Sequence, residues 1–188
     1  MQVIVLGAGL LGITSAYFLR QLGHEVTVLD RQATPAAETS FANGGQISVS
    51  HAEPWANPSA PFKVLKWLGK EDAPLLFRLR ADPQQWRWGL QFLAQCNDAA
   101  FERNVQQLVA LGSYSHAALK DVVAATGIVY NRLEKGIAHY YVDQKSFDGA
   151  AKSAAMMTKY GVNRRVVSKE ELLKIEPAFQ QFAAHIVG

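Results

Sequence analysis

The first thirty residues alternate short apolar runs with one amphipathic run. Val3 to Leu6 is apolar and β-branched, which predicts a strand buried on both faces. From Leu10 to Leu22 the large apolar residues return at helical spacing, and Gly23 predicts the helix end. Glu25 to Leu29 has a second strand pattern. This order predicts a βαβ unit.

Three glycines and one acid lie where this unit would bind a dinucleotide. Gly7, Gly9 and Gly12 have the spacing G-x-G-x-x-G, directly after the first strand. They allow a tight turn, close approach of a pyrophosphate to the backbone, and close packing of the helix. Asp30 ends the second strand, where a carboxylate accepts hydrogen bonds from ribose and repels a 2′-phosphate. The alternative is a glycine-rich turn without a ligand, which the complete strand–helix–strand context disfavours.

The segment after Asp30 does not continue as a simple nicotinamide domain. Arg31 to Ser59 is rich in small and polar residues and has no strand or helix pattern. The pair Gly44-Gly45 allows unusual backbone torsions and close approach of a flat ligand. The hydroxyls of Thr39 and Ser40 precede it and suit phosphate or ribityl oxygens. An ordinary surface loop is an equally good interpretation at this point.

The remaining chain mixes helices with short strands. Apolar spacing predicts helices at Phe62–Leu68 and Gln84–Cys96, one or two helices after a cap at Asp98 with Gly112 as a break, one from a cap at Ser146 to Tyr160, and one after a capping box of Ser168 and Glu171. Strand patterns cover Ile128–Leu133, Ile137–Val142 and Val162–Val167, with residues 134–136 as a hairpin loop. The stripe of Trp86, Leu90 and Leu93 is expected to be core.

Composition and charge narrow the class of protein. The chain has 188 residues, 49% hydrophobic and 19% charged, which fits a globular domain or a domain and a half. Its net charge of +3 is too mild to indicate nucleic acid. Cys96 is the only cysteine, which excludes an internal disulfide and favours a cytoplasmic setting. We expect neither a signal peptide nor a membrane-spanning helix, because both patterns are missing.

Other candidate chemistry is weak. The five histidines do not pair at ligand spacing, so we expect no metal site. His51 follows the glycine pair and could face a cofactor, although a solvated loop histidine is the favoured interpretation. Cys96 is expected to serve packing. Basic and aromatic residues alternate in Phe62–Leu68 and again in Leu75–Arg80, which suggests a membrane-surface contact. Their shortness favours a partly buried helix with solvated lysines instead.

Several of these stretches together resemble a known family. The glycine fingerprint, Asp30-Arg31 and the run Thr-Ser-Phe-Ala-Asn-Gly-Gly-Gln at 39–46 are similar to the FAD-dependent D-amino-acid oxidase superfamily, most nearly its bacterial D-amino acid dehydrogenases of the small-subunit type. The later segments Gly127-Ile-Val-Tyr, Lys135-Gly136-Ile and residues 168–179 agree. Family members are more than twice as long, so we expect this chain to be an N-terminal fragment.

The resemblance implies a fold and a cofactor. The fold is α/β: a Rossmann-like FAD-binding domain, with its N-terminal part in residues 1–50, followed by a helical segment and the start of an α+β substrate domain in residues 51–188. The cofactor is FAD. The ADP fingerprint is Val3, Ile4, Val5, Leu6, Gly7, Ala8, Gly9, Leu10, Leu11, Gly12, Ile13, Thr14, Ser15, Ala16 and Tyr17, joined by Asp30 and Arg31. The loop residues toward the flavin are Thr39, Ser40, Asn43, Gly44, Gly45 and Gln46.

The resemblance also implies an activity and partners. The family oxidises D-amino acids to 2-oxo acids and ammonia, and passes the electrons to a respiratory acceptor such as a quinone. We expect a cytoplasmic location with peripheral contact to the inner membrane. No catalytic residue is assigned, because the family draws such groups largely from its C-terminal half. The alternatives are a glycine or sarcosine type amine oxidase and a non-catalytic truncated module that binds the dinucleotide.

Overall fold

The computed structural model describes residues 1–73 and 78–188. These residues form two compact units, Met1–Ile47 and Ser48–Gly188, which are described separately. The division predicted from the sequence, 1–50 and 51–188, stays a prediction. Part of the basic segment Leu75–Arg80 lies outside the described residues.

The first unit is the expected βαβ unit. Strand β1 spans Gln2–Leu6, helix α1 spans Leu10–Gln21, and strand β2 spans Glu25–Leu29. The strands are parallel and in register from Gln2 opposite Glu25 to Leu6 opposite Leu29. Gly23 follows α1 with a φ of +83°, a left-handed torsion that glycine adopts without strain. Here the sequence prediction is confirmed to within a residue.

The prediction that β1 is buried on both faces is wrong for the described residues. Val3 and Val5 of β1 are half-buried, while Ile4 is 64% and Leu6 81% exposed. Successive strand residues point to opposite faces, so one face of the pair is covered and the other is open. The described sheet has two strands, β1 and β2, and parallel strands need cover on both faces to bury every residue.

The second unit is helical. Its helices are α2 (Ala60–Trp67), α3 (Pro83–Ala94), α4 (Asp98–Thr126), α5 (Gln144–Lys159) and α6 (Lys169–Ile175), with 3₁₀ segments at Val49–His51 and Pro177–His185. The core lies between α4 and α5: Val105 and Val109 of α4 pack with Met157 of α5 and with Val162. Within the described residues, none of the five helices is long and apolar enough to cross a membrane.

Helix α4 differs from its prediction at its start, while its middle agrees with one of the two predicted alternatives, a single helix. Its cap is Asn97, whose side chain accepts a hydrogen bond from the Ala100 N–H at 2.9 Å, and Asp98 is the first helical residue. The helix also runs unbroken through Gly112. A helical glycine costs only about 1 kcal/mol relative to alanine, which a 29-residue helix tolerates. Val49 lies 3.5 Å from where a Cβ of residue 112 would be.

The start of α5 was also misplaced, while α6 is confirmed. Asp143, not Ser146, caps α5 and accepts a hydrogen bond from the Ser146 N–H at 2.8 Å. Ser168 caps α6 and accepts from the Glu171 N–H at 3.3 Å, and this helix ends before Pro177. The Glu171 carboxylate pairs with Arg165 instead of completing a capping box.

The three predicted strands of the second unit are wrong. Residues 127–142 and 162–167 are irregular. Arg132 N–H donates to the Tyr130 carbonyl at 2.7 Å, a three-residue turn that breaks the extended run. Tyr141 exchanges two hydrogen bonds, of 2.7 and 2.8 Å, with the chain at Val187 and Gly188. Two hydrogen bonds are too few to form a strand pair. Gly136 does have a left-handed φ of +83°, as expected for a glycine in the predicted hairpin loop.

The apolar stripe on α3 is exposed, against expectation. Trp86, Leu90 and Leu93 are each more than half exposed, and no residue of α3 is buried. Polar contacts hold the start of this helix: the indole N–H of Trp86 donates to the Arg80 carbonyl at 3.0 Å, and Asp82 caps the helix.

Met157→Ala should destabilise the second unit by about 2–5 kcal/mol, because the side chain is fully buried and its removal leaves a cavity. The neighbouring Met156→Ala is the control, since Met156 is only partly buried against the same cluster. Urea unfolding followed by circular dichroism measures both. Equal losses for the two variants would mean that the core is not centred on Met157.

Candidate functional site

The glycine turn between β1 and α1 is held by close contacts. Gly7 has a φ of +107°, and its N–H donates to the Leu29 carbonyl at 2.7 Å. A Cβ on Gly12 would lie 1.8 Å from the Gly7 carbonyl oxygen, so only glycine lets α1 approach this turn. The predicted packing role of Gly12 therefore has a direct geometric basis.

The Asp30 carboxylate binds the turn itself. Oδ2 accepts a hydrogen bond from the Ala8 N–H at 2.5 Å, and Oδ1 accepts one from the Gln32 N–H at 2.7 Å. These two bonds, Ala8 first, lower the pKa of Asp30, so the group is ionised at neutral pH. Asp30, which the sequence predicts to bind a ribose, fixes the glycine turn to the end of β2.

Residues 31–40 fold back over the turn, and we call this segment the strap. The Ala36 N–H donates to the Ala8 carbonyl at 3.0 Å, and Ala36 has a φ of +58°. The Ser40 hydroxyl accepts a hydrogen bond from the Leu10 N–H at 3.0 Å. Gly9, the N-cap of α1, has no side chain, so Ser40 acts as a cap from a distance.

An ion pair joins the two ends of the strap. Arg31 donates from Nε and Nη2 to the two carboxylate oxygens of Glu38, each at 2.7 Å. Gln32 donates to the same carboxylate at 2.9 Å. The bonds from Gln32 and Arg31 lower the pKa of Glu38, and Glu38 raises that of Arg31. The sequence pattern did not indicate Glu38; the available signal was a single acid in an otherwise uncharged stretch after Arg31.

Strap, turn and strand ends line an open pocket of about 520 Å³. Its lining is Leu6, Gly7, Gly9, Leu29, Asp30, Arg31, Glu38, Thr39 and Ser40. Seven of these nine were predicted from the sequence as cofactor-binding residues, and Leu29 and Glu38 were not. The volume lies in the usual range for small-molecule sites.

The other predicted site residues do not line this pocket. Val3, Ile4 and Val5 lie in β1, Ala8 is buried in the turn, and Leu10, Leu11, Gly12, Ile13, Thr14, Ser15, Ala16 and Tyr17 lie along α1. The Thr14 hydroxyl donates to the Leu10 carbonyl at 2.9 Å, a bond within the helix. Their contact with a cofactor stays a prediction.

The glycine pair lies in an open turn. The Asn43 side chain accepts a hydrogen bond from the Gly45 N–H at 2.8 Å, and Gly45 has a φ of +59°. A Cβ at Gly44 or Gly45 would meet no heavy atom within 4 Å. The turn thus leaves room beside its backbone, although Asn43, Gly44, Gly45 and Gln46 are not part of the pocket lining.

Two histidines of the second unit do pair, which the sequence spacing did not indicate. The rings of His51 and His139 stack with centroids 5.4 Å apart and an angle of 15°. Burial lowers the pKa of His139. The described residues contain no group of three or more His, Cys, Asp or Glu that could hold a metal ion.

Burial raises the pKa of Cys96, whose thiol donates to the Phe92 carbonyl, so the packing interpretation stands.

The pocket suits the ADP part of a dinucleotide. A Cβ on Gly9 would lie 3.2 Å from the Ser40 hydroxyl and would fill the gap between the helix N-terminus and the strap. The helix N-terminus favours phosphate, and the ionised Asp30 favours ribose hydroxyls. Turn, helix and acid together define a dinucleotide-binding βαβ unit.

Comparison with known proteins gives the family. Residues 2–187 match the family described as FAD dependent oxidoreductase, and the chain belongs to it. Its members depend on FAD and have a Rossmann-like fold, in agreement with the α/β class predicted. No solved structure matches the chain.

Curated relatives are named D-amino acid dehydrogenase. The chain is 50% identical over 188 residues to one from Dechloromonas aromatica, 49% over 189 residues to one from Paramagnetospirillum magneticum, and 46% over 188 residues to one from Azorhizobium caulinodans. Each match covers all of this chain and 45% of the relative. The chain therefore spans less than half the length of these relatives.

Gly12→Ala should destabilise the first unit by about 1–3 kcal/mol, the usual cost of overpacking, because the new methyl group meets the Gly7 carbonyl. It should also weaken ADP binding. Gly149→Ala in α5 is the control: its Cβ meets nothing within 4 Å, and it should be neutral or stabilising by up to about 1 kcal/mol. Unfolding curves measure the change in stability, and titration calorimetry measures the change in ADP affinity. A Gly12→Ala protein that unfolds and binds like wild type would contradict the packing role.

Proposed function

We propose that this chain provides the ADP-binding part of an FAD-dependent enzyme that oxidises D-amino acids to 2-oxo acids and ammonia. The observation that carries the proposal is the pocket at the glycine turn, in a chain that matches D-amino acid dehydrogenases along its whole length. The fold alone supports many chemistries, so the likeness to these relatives carries the substrate class.

Each pocket group has a role in this proposal. Gly7 and Gly9 let the pyrophosphate approach the backbone at the N-terminus of α1. Asp30 keeps lone pairs beyond those used by Ala8 and Gln32, and these accept from the ribose hydroxyls. Thr39 and Ser40 line the same pocket, and their hydroxyls would donate hydrogen bonds to phosphate or ribityl oxygens.

Bound FAD would accept hydride from the substrate Cα, and the imino acid so formed would react with water to give the 2-oxo acid and ammonia. The substrate amine must be neutral at that step, so activity should rise with pH. A substrate carboxylate calls for a bidentate arginine, and we assign this role to no described residue. The electrons then pass to a respiratory acceptor such as a quinone.

Two alternatives remain in the proposal. A glycine or sarcosine type amine oxidase would use the same cofactor pocket with another substrate. A non-catalytic module would bind adenosine phosphates only, and the open face of β1 and β2 favours it for the isolated chain, since Ile4 and Leu6 lack cover.

The sharpest test joins residues 1–188 to the C-terminal part of the Dechloromonas aromatica relative, which supplies the length that this chain does not span. The chimera should be yellow and should reduce a dye with D-alanine, but not with L-alanine. Asp30→Ala should weaken FAD binding by about 10- to 100-fold, in line with hydrogen bonds to a charged group. Preference for sarcosine would favour the oxidase alternative. A colourless chimera that binds ADP would favour the module.

We also propose a cytoplasmic protein that touches the inner membrane through α2. Phe62 and Leu65 lie on one face of this helix and are 75% and 70% exposed, and each is followed in the sequence by a lysine, Lys63 and Lys66. Such an arrangement suits an anionic lipid surface.

Vesicles containing anionic lipid should carry part of the protein upward in a flotation gradient, and a Phe62→Ser/Leu65→Ser variant should lose this. Phe41→Ser, also at an exposed phenylalanine, is the control and should float like wild type. Equal flotation of all three proteins would remove α2 from the membrane contact.

A further inference from the structure

The strap is held at one carboxylate. Glu38 accepts three hydrogen bonds, two from Arg31 and one from Gln32, all between 2.7 and 2.9 Å. A bidentate pair with a third donor defines the position of the carboxylate more closely than a single surface ion pair does. The bonds join the beginning of the strap, directly after Asp30, to Glu38, two residues before its end.

This pairing determines where the Arg31 charge lies. Arg31 follows Asp30 in sequence and lines the same pocket, yet its ion pair is with Glu38. A guanidinium released from Glu38 would be free to pair with the Asp30 carboxylate or with a phosphate group. Either event would change which ribose the pocket accepts, since Asp30 favours free hydroxyls and arginine favours a 2′-phosphate.

The same pairing determines where Ser40 lies. Ser40 is two residues after Glu38, and its hydroxyl accepts from the first N–H of α1 at 3.0 Å. Thr39, between them, lines the pocket. A strap released at Glu38 would withdraw both hydroxyls from the helix N-terminus.

We propose that Glu38 is a positioning residue of the nucleotide pocket, which holds Arg31 in an ion pair and thereby makes the pocket select an adenosine with a free 2′-hydroxyl over one with a 2′-phosphate. The proposal rests on the proposed function, since it assumes that the pocket binds the adenosine end of a dinucleotide. It adds to that function a determinant of ribose specificity.

The test uses the 188-residue chain and two probes that differ by one group, AMP and adenosine 2′,5′-bisphosphate. Calorimetry at low salt gives the ratio of their affinities. Wild type should prefer AMP. Glu38→Gln keeps the shape of the side chain and removes its charge, so this ratio should fall about tenfold, as one charge-assisted contact is worth. A general loss of folding would weaken both probes alike and leave the ratio unchanged.

Glu171→Gln is the matched control. It removes the charge of another exposed Arg–Glu pair, that of Arg165 and Glu171, which has no part in the pocket. The ratio should stay at the wild-type value. A second measurement needs no ligand: trypsin should cleave after Arg31 about fivefold faster in Glu38→Gln than in Glu171→Gln, because loss of the ion pair raises the population of the open strap.

The outcomes separate the two proposals. A lower AMP preference with faster cleavage in Glu38→Gln supports the positioning role. An unchanged preference overturns it, whether or not cleavage changes, because Glu38 would then only support the strap. Failure of wild type to bind either probe would overturn the proposed function, and the positioning role with it.

Discussion

The close approach of α1 to the turn that precedes it is the constraint on which the first unit depends. With hydrogen alone at residue 12, the helix meets the Gly7 carbonyl directly. This places the first N–H of α1 beside Ser40 and the turn N–H of Ala8 beside Asp30. The pocket is the space that these contacts leave open. Any side chain at residue 12 would push the helix outward and separate the groups that line the pocket.

The elements that are predicted correctly from the sequence are determined by residues close together in the chain. The strands, α1 and the glycine turn follow from apolar spacing and from torsions that glycine adopts freely, so β1, β2 and α1 were placed to within a residue. The end of α5 next to Tyr160 and the cap of α6 at Ser168 also follow from signals within a few residues. Of the nine pocket residues, Leu6, Gly7, Gly9 and Asp30 belong to this strand–turn–helix–strand pattern.

The wrong predictions concern features that depend on contacts between residues far apart in the chain. The spacing of apolar residues does not show which distant residues meet. Ile128–Leu133 and Ile137–Val142 have the alternation of strands, but a strand exists only where another backbone completes its hydrogen bonds. The stripe of α3 has the spacing of a core helix, yet its residues are exposed. Glu38 belongs to no motif, and its importance comes from folding back onto Arg31. Burial and pairing between distant residues therefore limit what the sequence alone provides.

The two bonds of Asp30 restrict how this site can diverge. A side chain that only touches a ligand is free to change when the ligand changes. Asp30 also satisfies the Ala8 and Gln32 N–H groups, so its replacement leaves donors of the turn without their acceptor even when no nucleotide is bound. A related protein that binds a different nucleotide would therefore keep this carboxylate, because the two backbone N–H groups still need an acceptor. New specificity would then have to arise from other side chains that line the pocket.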